Sequence, residues 1–81
     1  MKDKHVESLA TDVFERLGAA RKALLAEMHD LGLTPEKGWR IVEELRHTTE
    51  GTHWIFRPMH LREHMPELSR TVLIDQEGRA V

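Results

Sequence analysis

The apolar residues of this chain change their spacing at Gly51, from a helical period before it to short strand-like runs after it. Over residues 5–31 they recur at intervals of three, four or seven, which predicts one long helix. Gly32 follows this stripe and is the residue type that favours a left-handed helix end. Gly18 interrupts the stripe at a cost of roughly 1 kcal/mol relative to alanine, and leaves open whether the helix is continuous. The stripe consists mainly of Val6, Ala10, Val13, Leu17, Ala20, Leu24, Met28 and Leu31.

The segment between Gly32 and Gly51 predicts a second helix. Thr34 is a residue type favoured at the N-cap, and Pro35 is a type favoured at the first helical position. The link to the first helix is short, so we expect the two helices to pack as an antiparallel α-hairpin. The predicted buried face of the second helix consists of Trp39, Ile41, Val42 and Leu45.

The last third of the chain predicts a small antiparallel sheet. Segments 52–57 and 70–74 are rich in β-branched and aromatic residues, as strands are. Residues 75–78 predict a tight turn with a glycine at its end, after which 79–81 would start a third strand. The predicted fold is thus α+β, with an antiparallel α-hairpin before a two- or three-stranded antiparallel sheet, in one small domain over residues 1–81. Its predicted core, between the second helix and the sheet, consists of Trp39, Val42, Leu45, Trp54, Phe56, Val72 and Ile74.

The length of the first helix predicts a homodimer. A continuous helix over residues 5–31 would span about 40 Å at 1.5 Å per residue. A compact domain of this chain length is roughly 30 Å across, so the helix would extend beyond its own domain. A second copy of the chain is the simplest partner for the exposed part of the apolar stripe. The predicted dimer interface consists of Val13, Leu17, Ala20, Leu24 and Met28.

Composition narrows the classes of function. The chain has no cysteine, which argues against a disulfide-stapled secreted domain and excludes thiolate metal sites and cysteine nucleophiles. Twelve lysines and arginines stand against 14 acidic residues, for a formal net charge of −2. Near-neutral charge lowers the expectation of nonspecific nucleic-acid binding, which depends on phosphate neutralisation. The charged first five residues precede no apolar segment, so we expect a cytoplasmic protein without membrane contact.

One short motif suggests metal chemistry. Residues 60–64 spell H-x-x-E-H, in which two histidines on one helical face would bind zinc and Glu63 would act as general base. Pro58 and Pro66 leave barely one helical turn between them, and such enzymes need a third ligand on a distant helix. We therefore predict no enzymatic activity and no cofactor from this pattern.

A histidine metal site without catalysis is an alternative. His60, His64 and either His53 or His47 would converge if residues 58–69 folded back over the first strand. Neutral imidazole binds zinc, nickel and copper well. The spacing of these residues is not that of a closed structural zinc site, so exposed surface histidines are the simpler interpretation.

Basic residues around the connector 58–69 predict a binding surface. Arginine beside an aromatic side chain suits contact with phosphate, with a base or with a partner protein. The function expected first is a non-catalytic protein–protein interaction or regulatory module that acts as a homodimer. A small nucleic-acid-binding regulator, which would use a face formed by Arg57, Arg62 and Arg70, is the alternative and is less expected. The predicted surface as a whole consists of Arg57, His60, Arg62, His64 and Arg70.

Overall fold

The structure is a computed structural model that describes residues 10–81 and contains one α-helix and a three-stranded antiparallel sheet. The α+β class is therefore confirmed, whereas the part of the predicted first helix before residue 10 lies outside the described residues. Within 10–81 no helix is long and apolar enough to cross a membrane. The elements are helix α1 (Thr11–Asp30), a 3-10 turn (Pro35–Lys37) and strands β1 (Arg40–Thr48), β2 (Gly51–Met59) and β3 (Arg70–Asp75).

Helix α1 is continuous and ends where the sequence predicts. It passes through Gly18 without a break. At its C-terminus the Leu33 N–H donates to the Met28 carbonyl at 2.8 Å, and the Gly32 N–H donates to the His29 carbonyl at 3.0 Å. Gly32 has a φ of 78°, so this pair of hydrogen bonds forms a Schellman motif.

We expect Gly18→Ala to raise the free energy of unfolding by about 0.5–1 kcal/mol, because alanine loses less backbone entropy than glycine in a helix. Gly18 is exposed, and a Cβ added to it meets no atom within 4 Å. Urea denaturation followed by circular dichroism measures the change. A loss of stability would instead show that another element or a partner needs the space beside Gly18.

The core lies between α1 and the sheet. The helix packs chiefly on β2 and β3. It contributes its buried side chains from one face, spaced at four, seven and four residues, as an amphipathic helix requires. The buried cluster consists of Val13, Leu17, Leu24, Met28, Trp39, Phe56, Val72 and Ile74. Of the other predicted core residues, Trp54 is half-buried, Val42 is half-buried, and Leu45 is 45% exposed.

The predicted second helix is wrong, because its residues form a 3-10 turn and then β1. Gly38 adopts a left-handed φ of 96° and ends the turn after three residues. From there the chain pairs with β2 in an unbroken register, from Arg40 opposite Met59 to Thr48 opposite Gly51. The predicted second helix would be short and marginal by itself, whereas as a strand the same segment pairs the backbone groups of alternate residues with β2. The α-hairpin is replaced by a β-hairpin.

Alternation along the strands divides the sheet into two faces. The helix-side face faces α1, and the open face is the opposite one. The helix-side face carries Ile41, Glu43, Leu45 and His47 of β1, Trp54, Phe56 and Pro58 of β2, and Arg70, Val72 and Ile74 of β3. The open face carries Val42, Glu44 and Arg46 of β1, His53, Ile55 and Arg57 of β2, and Thr71 and Leu73 of β3.

The end of the chain turns back beside β3. The predicted tight turn is present, with Gly78 at a φ of 82° and the Asp75 carboxylate accepting hydrogen bonds from the Glu77 and Arg79 N–H groups. Residues 79–81 then make a single bridge with β3, between Ile74 and Ala80, rather than a full strand. The third strand of the sheet is β1.

Candidate interaction surface

His60 connects two loops and is not free to act as a metal ligand. Its Nε2 lies 2.8 Å from the Lys37 carbonyl oxygen, and its Nδ1 lies 2.9 and 3.1 Å from the N–H groups of Arg62 and Glu63. Nδ1 therefore accepts hydrogen bonds while Nε2–H donates one, which specifies one neutral tautomer. The ring also lies 5.1 Å from the Trp39 ring, centroid to centroid. His60 thus links the connector between β2 and β3 to the 3-10 turn by a hydrogen bond.

The other predicted metal ligands are not brought together. Residues 60–64 are not helical, so His60 and His64 do not share a helical face. His53 lies on the open face of β2, where its Nε2 is buried without a hydrogen-bond partner among the described residues. Across residues 10–81 no group of three or more histidines and carboxylates is placed to hold a metal ion.

The five residues of the predicted binding surface do not form one surface. Arg57 lies on the open face, whereas Arg70 pairs with Phe56 in the register and so lies on the helix-side face. The Arg70 guanidinium donates to the Glu27 carboxylate of α1. Arg62 and His64 are exposed on the connector, and His60 is engaged as described above. An arginine face that combines Arg57 and Arg70 is therefore not formed.

The helical residues predicted for a dimer interface are used within the chain. Val13, Leu17, Leu24 and Met28 are buried against the sheet, and Ala20 is half-buried beside them. Between residues 10 and 28 the apolar stripe thus packs largely within the chain, whereas Leu31 is 60% exposed and Val6 lies outside the described residues. A homodimer through Val13, Leu17, Leu24 and Met28 would compete with this packing.

The open face carries a small ion-pair cluster centred on Glu44. Its carboxylate lies 3.0 Å from the Arg46 guanidinium and 3.6 Å from that of Arg57. The hydrogen bond from Arg46, and then the positive charges of Arg46 and Arg57, lower the pKa of Glu44 below its ordinary value. Beneath the cluster, in the central strand, Ile55 is only 5% exposed.

We expect Arg46→Ala to raise the pKa of Glu44 toward its ordinary value, because Arg46 provides the largest stabilisation of the charged carboxylate. A lowered folded-state pKa contributes stability above the ordinary pKa, and this contribution disappears as the pH falls through the folded-state pKa. NMR titration of the Glu44 side-chain carboxyl measures the shift. Arg62→Ala is the control and should leave it unchanged. An unchanged Glu44 pKa in Arg46→Ala would contradict the ion pair.

Within the described part of the chain, strand β1 forms an edge of the sheet and pairs with β2 on one side only. It contains no proline, and its register with β2 is regular over its whole length. Because α1 packs chiefly on β2 and β3, the helix-side face of β1 is only partly covered by residues 10–81: Ile41 packs against the core, whereas Leu45 is 45% exposed. Beside Leu45, the half-buried Trp54 donates from Nε1 to the Glu43 carboxylate at 2.9 Å. The edge thus combines free backbone groups with an exposed apolar side chain.

The register shows which backbone groups of β1 face outward. Pro58 of β2 lies opposite Ile41 and has no N–H, so this pair cannot exchange two hydrogen bonds. Hydrogen-bonded and non-hydrogen-bonded pairs alternate in an antiparallel ladder, so the pairs of Glu43, Leu45 and His47 are also non-hydrogen-bonded. Their N–H and C=O groups consequently point away from β2, toward the open edge.

The chain matches no protein-family model, no curated protein and no solved structure. Its function is therefore argued from the edge of β1 and the residues around it. The sequence pattern does not indicate this edge, because it predicts a helix over residues 40–48. The adjacent β-branched residues Ile41 and Val42, preceded by Gly38, are the signal that indicates a strand there.

Proposed function

We propose that this protein is a non-catalytic protein–protein interaction module that associates through strand addition at β1, with a homodimer as its working state. The observation that carries the proposal is the outer edge of β1, which pairs with no further strand among residues 10–81 and has Leu45 45% exposed beside it. An exposed sheet edge presents a row of free N–H and C=O groups that readily pair with another strand. Natural proteins usually protect such edges by shortening, bulging, covering or charging them; β1 is long and regular, and its charged residues carry both signs.

Strand addition suits a domain of this size. Main-chain hydrogen bonds provide affinity and the alternating side chains provide specificity, so no deep pocket is needed. The placement of the chemical groups supports a non-catalytic role. His60 uses both ring nitrogens to fasten the connector, and Arg70 pairs with Glu27. In such a module, binding would be regulated by which strand pairs with the edge of β1, that of a second copy or that of another protein.

Amide hydrogen exchange over a wide range of protein concentration tests this proposal. The outward N–H groups of Glu43, Leu45 and His47 should exchange rapidly in dilute protein and become protected as it associates. The N–H groups of Glu44 and Arg46 point toward β2 and serve as internal controls, protected at every concentration. Outward amides that exchange rapidly at all concentrations, in a protein that sediments as a monomer, would overturn the proposal.

A further inference from the structure

We infer that the strand added to β1 is β1 of a second copy, antiparallel to the first, with Leu45 on a two-fold axis. The two sheets would then form one six-stranded sheet with both helices on the same face. This inference rests on the proposed function, because it specifies the partner and register of the same edge. It is carried by the order of charges along β1.

Symmetry limits the registers that are available. In a two-fold symmetric dimer the same patch of both copies forms the interface, so residue i contacts j and j contacts i. For two antiparallel edge strands in one sheet the axis is perpendicular to the sheet, and it keeps each side chain on its own face. Because faces alternate along a strand, one residue must lie on the axis, opposite its own copy.

Centring the pair on Leu45 gives complementary neighbours within segment 43–47, and Val42 then lies opposite the partner's Thr48. Glu44 lies opposite the partner's Arg46, Glu43 lies opposite the partner's His47, and the two copies of Leu45 face each other. By contrast, an axis at Glu43, Glu44 or Arg46 places two identical charges directly opposite each other. Like charges opposite one another destabilise a strand pair, and opposite charges stabilise it.

Axes at Ile41, His47 or Thr48 pair at most three residues of β1, so an axis at Val42 is the main competitor. It would place Arg40 opposite Glu44 but limit the paired segment to 40–44, and Ile41 would face the carboxylate of Glu43. The Arg40 guanidinium is already held by the carbonyls of Trp39 and Pro35, at 2.7 and 3.2 Å. This register would also leave the exposed Leu45 outside the paired segment. The Leu45 axis is therefore favoured.

The backbone agrees with the Leu45 axis. The N–H and C=O of Leu45 point outward, so the two copies of this residue can exchange both hydrogen bonds across the axis. Glu43 and His47 present outward groups as well and form the next hydrogen-bonded pairs. On the open face, the Glu44–Arg46 ion pair of each copy meets its symmetry mate in reverse order. The four charges then alternate in sign around the axis. On the helix-side face, the two Leu45 side chains pack against each other.

Cysteine cross-linking tests the axis directly, since the chain has no cysteine of its own. In Leu45→Cys the paired Cα atoms should lie about 5.5 Å apart, within the range of about 4.4–6.8 Å that a disulfide spans. Mild oxidation should therefore give a covalent dimer. In the control Val42→Cys the two Cα atoms should lie about 20 Å apart, at ~3.4 Å per residue along the strand, and no link should form. Cross-linking of Val42→Cys in preference to Leu45→Cys would overturn the inference.

Mixing two charge-reversed variants tests the register independently. Glu44→Arg and Arg46→Glu each place like charges opposite one another at two symmetry-related positions, so each should weaken its own dimer roughly tenfold or more. A mixture of the two should form a heterodimer of nearly wild-type affinity, because every opposed pair is again complementary. Intrachain damage is not repaired by mixing, so recovery reports on the interface alone.

The failures of the two proposals are distinguishable. A wild-type protein that sediments as a monomer at all concentrations would overturn the proposed function and this inference together. A wild-type dimer with protected outward amides, whose charge-reversed variants do not recover on mixing, would overturn only the Leu45 register. Sedimentation equilibrium of the wild type, each variant and the mixture, together with amide hydrogen exchange of the wild type, provides these readings.

Discussion

Replacing Gly51 with alanine is expected to lower the free energy of unfolding by about 2–6 kcal/mol, the sum of backbone strain of about 1–3 kcal/mol and overpacking of about 1–3 kcal/mol. A Cβ at this position would lie 2.1 Å from the Ile74 carbonyl oxygen and 2.9 Å from the Asp75 Cα. Both neighbours belong to the backbone of β3, so neither can move aside as a flexible side chain would. Gly51 also has a φ of 145°, which L residues rarely adopt.

The cost is large because Gly51 begins the central strand. It pairs with Thr48 on one side and with Asp75 on the other, so any shift disturbs both strand pairs. Gly32→Ala is the matched control, since its φ of 78° is also unfavourable but the nearest atom to an added Cβ is the flexible Lys37 Nζ at 3.6 Å. We expect that control to cost only about 1 kcal/mol.

Urea denaturation at one fixed protein concentration measures both variants, because dimerisation would make stability depend on concentration. The loss in free energy of unfolding in Gly51→Ala minus the loss in Gly32→Ala gives the cost of the close approach of the β3 backbone, because both variants also include the cost of a positive φ. Equal losses in the two variants would show that the backbone of β3 does not approach Gly51 as closely as the structure indicates.

Leu24→Ala should lower the free energy of unfolding by about 2–5 kcal/mol, through lost apolar burial and the cavity left in the core. Leu24 is fully buried between α1 and the sheet. Its neighbour Leu25 is 44% exposed, which makes Leu25→Ala a control with the same side chain in the same helix. We expect that control to cost less than about 1 kcal/mol.

The same pair of variants separates two explanations of the apolar stripe. If Leu24 packs within the chain, Leu24→Ala weakens folding and leaves the dimer dissociation constant of the folded protein unchanged. A folded Leu24→Ala protein that had lost its dimer would favour the helical interface that the periodicity predicts. Thermal or urea unfolding, combined with sedimentation equilibrium, distinguishes these results.

The helix that the sequence predicts after Thr34 stops after one turn, and a nearby residue explains this. Residues 39–45 contain Trp39, Ile41, Val42 and Leu45, which one face of a helix accommodates as well as a strand does. The capping residues Thr34 and Pro35 are present and do start a helical turn, but Gly38 ends it. Capping signals indicate where a turn begins, and they carry no information on how long it continues.

The candidate site was predictable only in part. The absence of cysteine and the distribution of charge leave arginines and histidines as the candidate binding residues. The structure does not bring the five predicted arginines and histidines together on one surface. The ring nitrogens of His60 make it a candidate metal ligand in the sequence. In the structure its Nε2 is hydrogen-bonded to the carbonyl oxygen of Lys37, and this contact was not predictable because the two residues are 23 positions apart in the chain. The sequence does not predict that β1 forms an edge of the sheet, because an edge strand can be identified only when the order of the strands is known.

Local sequence determined the elements whose causes are local. The amphipathic period and Gly32 determined helix α1 and its end, the β-branched and aromatic runs determined β2 and β3, and Gly78 determined the last turn. These features depend on backbone preferences and on burial along one face, which neighbouring residues specify. Tertiary structure decided that 40–48 is a strand, because the local signals there are compatible with both a helix and a strand and pairing with β2 selects the strand. It also decided that α1 packs chiefly on β2 and β3 and leaves Leu45 of β1 exposed, since which strands a helix covers depends on packing between distant parts of the chain.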